Sequence, residues 1–191
     1  MASSGVESIS AASAAARNRT LSVSTTNVLR LLTLVLTAAF IGVIVFSLRD
    51  TGAREGAKAP EFNIVTESGR RVTPESFGGK ILVLNFWATW CAPCVEEIPS
   101  LNEMQKQFAK SGVVVVAVSI DKSERKYHSF LERIPVAFQT SWDPKAQVSA
   151  EYGTFQYPET YIIKDGRVMR KFGNAEDWLS DDMTQYIRGL L

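Results

Sequence analysis

The chain has 191 residues, 46% of them hydrophobic and 21% charged, with a formal net charge of +1. That length holds one domain of common size with some chain to spare. A balance this close to neutral lacks the basic footprint of a nucleic-acid binder, and no internal repeat points to a solenoid or propeller.

Met1 to Thr26 is rich in Ala, Ser and Thr, with Arg17, Arg19 and a single acid, Glu7. It has too little large apolar surface to offset ordering entropy, so residues 1–27 are expected to form a disordered tail. Asn18-Arg19-Thr20 matches a glycosylation sequon, and the Arg- and Ser-rich, acid-poor composition also fits a transit peptide. Next comes LLTLVLTAAFIGVIVFSL, Leu31 to Leu48, uncharged and bracketed by Arg30 and Arg49. A bilayer core needs about 20 apolar residues as helix. A helix of a globular protein usually shows a polar stripe, which this one lacks beyond Thr and Ser, and the apolar region of a signal peptide runs to only about 7–15 residues. Residues 28–48 are therefore predicted to be a single transmembrane anchor that is not cleaved. Arg17, Arg19 and Arg30 before it balance Arg49, Arg54 and Lys58 after it, so basic residues do not set its orientation.

Residues 49–58 are Gly- and Ala-containing and read as a linker; 59–191 is the predicted folded domain. Ser68-Gly69 marks a turn between two short strands. ILVLNFW (Ile81 to Trp87) and VVVVAVSI (Val113 to Ile120) are continuous apolar runs, the pattern of strands buried on both faces. Between them a helix is predicted from about Cys94 to Lys110, kinked at Pro99 and ended at Ser111-Gly112. Strand, helix and strand of this length make a parallel βαβ unit. A polar helix over Ser123 to Arg133, a strand over Val136 to Thr140 and a short helix over Lys145 to Tyr152 follow. Asp165-Gly166 then joins TYIIK and RVMRKF as a hairpin, and an amphipathic helix from Glu176 to Leu190 closes the chain. Helices are expected on both faces of the sheet, which makes the fold class an α/β three-layer sandwich.

NFWATWCAPCVEE, from Asn85 to Glu97, holds both cysteines of the chain, three positions apart. A structural zinc site needs four ligands, and two Cys with one distant His128 do not supply them. A staple closing so small a loop removes little unfolded-state entropy. A redox couple accounts for each position. Cys91 follows the C-terminal end of a strand and precedes a helix, whose positive end favours a thiolate. A thiolate is the attacking species in disulfide exchange. Cys91 is the predicted attacking residue and Cys94, one turn in, the resolving one; Pro93 stiffens the turn between them.

Phe86-Trp87-Ala88-Thr89-Trp90-Cys91-Ala92-Pro93-Cys94 resembles the active site of the thioredoxin superfamily. Pro99 matches that family's helix kink, and Tyr157-Pro158-Glu159-Thr160 resembles the segment carrying its cis-proline. The resemblance covers the chain from about Ala59 onward. It is closer to the membrane-anchored TlpA/ResA/CcmG-like thiol-disulfide oxidoreductases, on Lys58-Ala59-Pro60-Glu61-Phe62, the extended middle from Asp121 to Tyr152, and Pro158-Glu159-Thr160. Ala92 departs from the acid or polar residue some members carry there.

The resemblance implies a thioredoxin-like domain that reduces protein disulfides, with no cofactor beyond the Cys91–Cys94 pair and no metal. It implies a bacterial inner-membrane protein with a single span and its catalytic domain in the periplasm, fed by a membrane thiol electron donor. The substrate would be a cysteine pair of apocytochrome c or of a cytochrome oxidase copper-site protein. Asn85 stands where thioredoxin has a proton-accepting Asp, and Glu97 resembles the conserved acid of the ResA-like branch. Glu97 is accordingly expected to take the proton of Cys94. Substrate is expected to meet Trp90, Pro93, Tyr157, Pro158 and Glu159, while Trp87 packs in the core. Asp121, Trp142 and Asp143 follow candidate strands and are possible contributors to the active edge. Three other readings stay open: a dithiol oxidase or isomerase, a peroxiredoxin (Ala88 replaces the Thr it needs), and a non-catalytic assembly factor.

Overall fold

The computed structural model describes residues 25–47 and 52–191. The predicted tail, up to residue 24, lies outside the described residues, as do residues 48–51 around the predicted anchor–linker boundary. The chain forms two units, dividing at Arg49–Asp50.

Among its described residues the first unit has the helix α1, Thr25–Ser47, of 23 residues. At 1.5 Å per residue it is roughly 35 Å long, enough to cross a hydrocarbon core of about 30 Å. Its stretch from Thr25 to Ile44 meets the length and composition of a membrane span and is not buried against protein. The hydroxyls of Thr33 and Thr37 donate to backbone carbonyls one turn back, at 2.8 Å each to Arg30 and Thr33. The polar groups inside the apolar run are thus satisfied within the helix, as lipid requires.

The second unit is a five-stranded sheet in the order β5-β4-β3-β6-β7. Its strands are β3 (Ile81–Trp87), β4 (Val113–Ser119), β5 (Gln139–Trp142), β6 (Glu159–Lys164) and β7 (Arg167–Phe172). β3, β4 and β5 run parallel, while β6 and β7 are antiparallel. β1 (Ile64–Val65) and β2 (Arg71–Val72) form a separate hairpin. The helices are α2 (Ala92–Phe108), α3 (Glu124–Arg133), α4 (Gln147–Glu151) and α5 (Asp181–Leu190).

All seven residues of β3 are buried, because both its faces are covered and its neighbours flank both its edges. Ile81, Val83 and Trp87 enter one core with Ile98, Leu101 and Met104 of α2, Tyr127 and Phe130 of α3, and Met183 and Ile187 of α5. Leu82, Leu84 and Phe86 enter the other with Phe62, Val72, Val148, Tyr152 and Tyr161. The period of two along β3 places Asn85 on the α2 side, in line with Val83 and Trp87. The second face differs from a plain helical layer: the β1–β2 hairpin and Phe77 cover much of it beside the short α4.

Several element boundaries move for identifiable reasons. α2 starts at Ala92 rather than Cys94, with Cys91 as its cap. The strand expected at Val136–Thr140 lies at Gln139–Trp142, where it meets β4. α5 begins at Asp181, not Glu176, because Ser180 caps it at the Met183 N–H and Trp178 turns into the core. The β6–β7 turn places Asp165 at φ 50° and Gly166 at φ 71°, the pair of left-handed residues a two-residue hairpin requires.

The linker reading needs correction over its described part. Ala53 N–H donates to Tyr152 O at 3.0 Å, Gly56 N–H to Val168 O at 2.7 Å, and Val168 N–H to Ala57 O at 3.0 Å. Lys58 forms a bridge to Arg167. Residues 52–53 therefore lie against residues 152–153, and 55–58 against β7, where they occupy backbone groups that an edge strand leaves unpaired.

Candidate active site

Cys91 and Cys94 are joined as a disulfide with Cα atoms 5.3 Å apart. They sit where β3 gives way to α2, and local chemistry dictates the junction. Cys91 N–H donates to Ala88 O at 3.1 Å, closing a turn. Cys91 Sγ then accepts the Cys94 N–H at 3.3 Å as the helix cap. Pro93 occupies the first turn, where its missing N–H costs nothing. Cys91 keeps 6% exposure and Cys94 1%, so the first sulfur is the one a partner can reach. It also lies at the positive end of a helix of 17 residues.

The turn before Cys91 is pinned from β4. Asp121, buried, accepts the Thr89 N–H at 2.8 Å, the Thr89 hydroxyl at 2.7 Å and the Ser119 hydroxyl at 2.7 Å. Trp142 Nε1 donates to Asp121 O at 2.6 Å. Asp121 and Trp142 thus hold the active loop from behind. Asp143 instead caps α4, accepting the Val148 N–H at 2.9 Å.

Glu97 lies one turn beyond Cys94 on the buried face of α2. Its Oε1 accepts from Asn85 Nδ2 at 2.8 Å, and its Oε2 from the Glu176 N–H and from Trp178 Nε1, each at 3.2 Å. Asn85 Nδ2 also donates to Thr160 Oγ1 at 2.9 Å. Burial pushes the Glu97 carboxyl up to about 7; the three donors favour the carboxylate, and the nearby Glu176 charge adds to the rise. A cleft of about 320 Å³, lined by Glu96, Glu97, Pro99, Ser100 and residues 175–177, runs from this group toward the surface. Asn85 and Glu97 are the two ends of the same thirteen-residue stretch, but residues 176 and 178 are far from 97 along the chain and no local motif ties them to it.

The opposite wall is the loop before β6. The Tyr157–Pro158 peptide is cis. Tyr157 packs edge-on against Trp90, with ring centroids 6.4 Å apart, and shares a hydrogen bond with Ser149. Trp90 is largely exposed beside Cys91 whereas Trp87 is buried, the division expected from sequence. Glu159 departs from expectation. Its side chain is 3% exposed, with Oε1 taken by the hydroxyls of Thr154 and Tyr161 and Oε2 lying 3.1 Å from Lys171 Nζ. A carboxylate so enclosed braces the loop and does not present itself to substrate. Pro158 is likewise buried, and Pro93 is exposed.

Comparison with known proteins agrees with this geometry. The AhpC/TSA family model matches residues 56–172. Thioredoxin-like protein YneN of Bacillus subtilis is 37% identical over 128 residues, covering 65% of this chain and 74% of the relative. Thiol-disulfide oxidoreductase ResA of Geobacillus thermodenitrificans is 33% identical over 147 residues, covering 75% and 84%. The solved structure of a thiol:disulfide interchange protein, DsbE, from Chlorobium tepidum superposes with a TM-score of 0.67 at 30% identity, covering 72% of this chain and 98% of that one.

Proposed function

The chain belongs to the AhpC/TSA family, and we propose that within it this protein is a membrane-tethered thiol-disulfide oxidoreductase working as a reductase. The observation that carries the reading is the Cys91–Cys94 pair at the mouth of α2, the first cysteine slightly more exposed than the second and a buried acid one turn on.

In the reduced protein the Cys91 thiolate attacks a substrate disulfide. A Cys91–substrate S–S bond forms, the substrate S–S bond breaks, and one substrate sulfur leaves with the electron pair and takes a proton. Glu97, as carboxylate, accepts the proton of Cys94. The Cys94 thiolate then attacks Cys91 Sγ, closing the protein disulfide and releasing the second substrate sulfur, which is protonated in turn. The substrate gains two electrons and two protons, and a membrane dithiol donor reopens Cys91–Cys94. The thiols are the redox group, so the step needs no further cofactor. Asn85 is a positioning residue in this scheme: it orients Glu97 and does not itself take a proton.

The resemblance to the TlpA/ResA/CcmG-like branch, together with the apolar helix α1, supports a periplasmic domain anchored in the bacterial inner membrane. There it would reduce cysteine pairs of apocytochrome c or of a copper-site protein. The test is insulin reduction with a small dithiol as electron source, with Cys91→Ser as control, followed by the reduction potential. Turnover lost in Cys91→Ser and a potential near that of thioredoxin, about −270 mV, support a reductant; a value near the strong oxidant DsbA, about −120 mV, reverses the direction. Absence of turnover favours a non-catalytic assembly factor.

A peroxidase reading has less support. The position three residues before Cys91 is Ala88, which is buried and has no hydroxyl to offer. The adjacent Thr89 hydroxyl is committed to Asp121.

A further inference from the structure

A groove of about 750 Å³ lies between α3, the β1–β2 turn and the start of β5, and the exchange chemistry does not use it. The sheet register sets it apart from the cysteines. Gln139 of β5 pairs with Val116 of β4, and Val116 with Leu84 of β3, three residues before Trp87. The groove is therefore displaced by two strands and several residues from the junction that carries Cys91, on the order of 10 Å in each direction.

Its floor is apolar, with Leu131, Val136 and Phe138. Its walls are acidic. Glu67 stands in the β1–β2 turn, and Glu132 on α3 one turn beyond His128, on the same helix face. His128 Nδ1 lies 3.4 Å from Glu67 Oε2, so that face and the turn stand directly opposite each other. His128 is the only lining side chain able to carry positive charge. Neither lining glutamate is paired with a lysine or arginine among the described residues.

Two buried oxygens here lack hydrogen bonds. Tyr127 is 0% exposed, and its hydroxyl faces Thr140 and Glu67 without completing a bond to either. Gln139 lines the groove, and its buried Oε1 accepts nothing. An unpaired acceptor beside unpaired carboxylates favours a ligand that brings both donors and positive charge.

We propose that this groove binds an arginine side chain presented by a partner polypeptide. A guanidinium supplies charge to Glu67 and Glu132, donors to the Gln139 amide, and a flat, weakly hydrated face to the apolar floor. Lysine would bring the charge without the planar face. The volume lies toward the upper end of the range for small-ligand pockets, which suits a short segment of chain, with the residues beside the arginine covering Leu131, Val136 and Phe138. Such a site holds a polypeptide without engaging the Cys91–Cys94 disulfide.

The test uses oxidised full-length protein in detergent and the fluorescence anisotropy of a labelled peptide with one arginine between two leucines. The same peptide with glutamine in place of the arginine is the comparison. The wild type is expected to bind the arginine peptide about tenfold more tightly. Glu132→Gln should reduce that preference, and Glu67→Gln combined with it should abolish it. Glu151→Gln, an equal charge change on α4, should retain it. Gln139→Leu should weaken binding about threefold while keeping thermal stability at or above the parent's, since it deletes an unpaired acceptor. No preference in the wild type, an unaltered preference in the double variant, or an equal loss in Glu151→Gln overturns the proposal; the last would reduce it to general charge attraction. Free arginine amide binding as tightly as the peptide overturns the polypeptide partner. Saturating peptide should leave the reaction of the reduced protein with hydroxyethyl disulfide within about twofold; a block would place the peptide on the exchange site and overturn the assignment to this groove.

Discussion

Asn85 Nδ2 donates a hydrogen bond to Glu97 Oε1 at 2.8 Å, across the interface between β3 and α2. The amide cannot accept a proton, but it holds one that can. Burial then gives Glu97 a value of about 7 in place of 4.5, which poises it to exchange protons at neutral pH.

The first prediction concerns Glu97→Gln. The folded value of Glu97 lies above its ordinary one, so the protonated form is the one folding favours. Its contribution is fully present below about pH 4.5 and is lost as pH rises through about 7, a change on the order of 3 kcal/mol. Glutamine removes that dependence and can keep the network if the Asn85 amide turns over to accept. Urea denaturation between pH 4 and 8 should show a flatter profile in the variant. The resolving step, followed by tryptophan fluorescence, should slow by at least about tenfold at pH 7. A variant with the parent's pH slope and exchange rate would remove Glu97 from the mechanism.

Asp121→Ala tests the brace behind the active loop. It strips an acceptor from the Thr89 N–H and from the hydroxyls of Thr89 and Ser119. Buried donors left unpaired should cost about 2–4 kcal/mol. Because Thr89 precedes Trp90 and Cys91, insulin reduction should fall more steeply than the loss of folded protein explains.

For Glu159→Ala the expected effect is on stability. The change leaves Lys171 without its ion partner and the Thr154 hydroxyl without its carboxylate acceptor, while the Tyr161 hydroxyl keeps Tyr152 O at 3.0 Å. Lys171 is 35% exposed and can turn to water, so the cost comes mainly from the lost buried hydrogen bonds, about 1–3 kcal/mol. The reaction of Cys91 with a small disulfide, measured where the variant is folded, should stay within about threefold of the parent, since Glu159 does not face the sulfurs. A much larger loss would return Glu159 to the reacting surface.

Cys94→Ser should accumulate a covalent complex with a disulfide substrate through Cys91, visible on non-reducing gels and reversed by dithiothreitol. Cys91→Ser should trap none. The reverse pattern would exchange the roles assigned from exposure.

Truncation probes the start of the domain. A chain beginning at residue 52 should be released from membranes and keep its thermal stability. One beginning at residue 59 should lose about 1–3 kcal/mol, because it gives up the backbone bonds to Tyr152 and Val168. Equal stability of the two would make residues 52–58 a linker after all.

The CxxC chemistry was legible in the sequence because every part of it is local. A strand, the helix after it, Pro93 and two cysteines three positions apart are all read from neighbouring residues, although the helix start and its Cys91 cap came only from the structure. β3 and β4 were legible for the same reason, being uninterrupted apolar runs. Trp178 was not. Its apolar character suggested the face of a terminal helix, and only packing shows the indole in a loop with its N–H on Glu97. Glu159 looked like a substrate contact because it adjoins Pro158, but nothing in the letters reveals that Thr154, Tyr161 and Lys171 converge on it.

By itself, then, the sequence determined the class of reaction, the order of the two sulfurs along α2 and the presence of an apolar span, since each depends on neighbours within a turn or two of backbone. Only the tertiary structure decided which groups surround Glu97 and where the chain enters the domain along β7. Those are contacts between residues from 12 to more than 100 positions apart. They exist because the β3–β6 register brings Asn85 opposite Thr160, and because the sheet packs α2 against one face while the 152–158 loop closes over the end of β3.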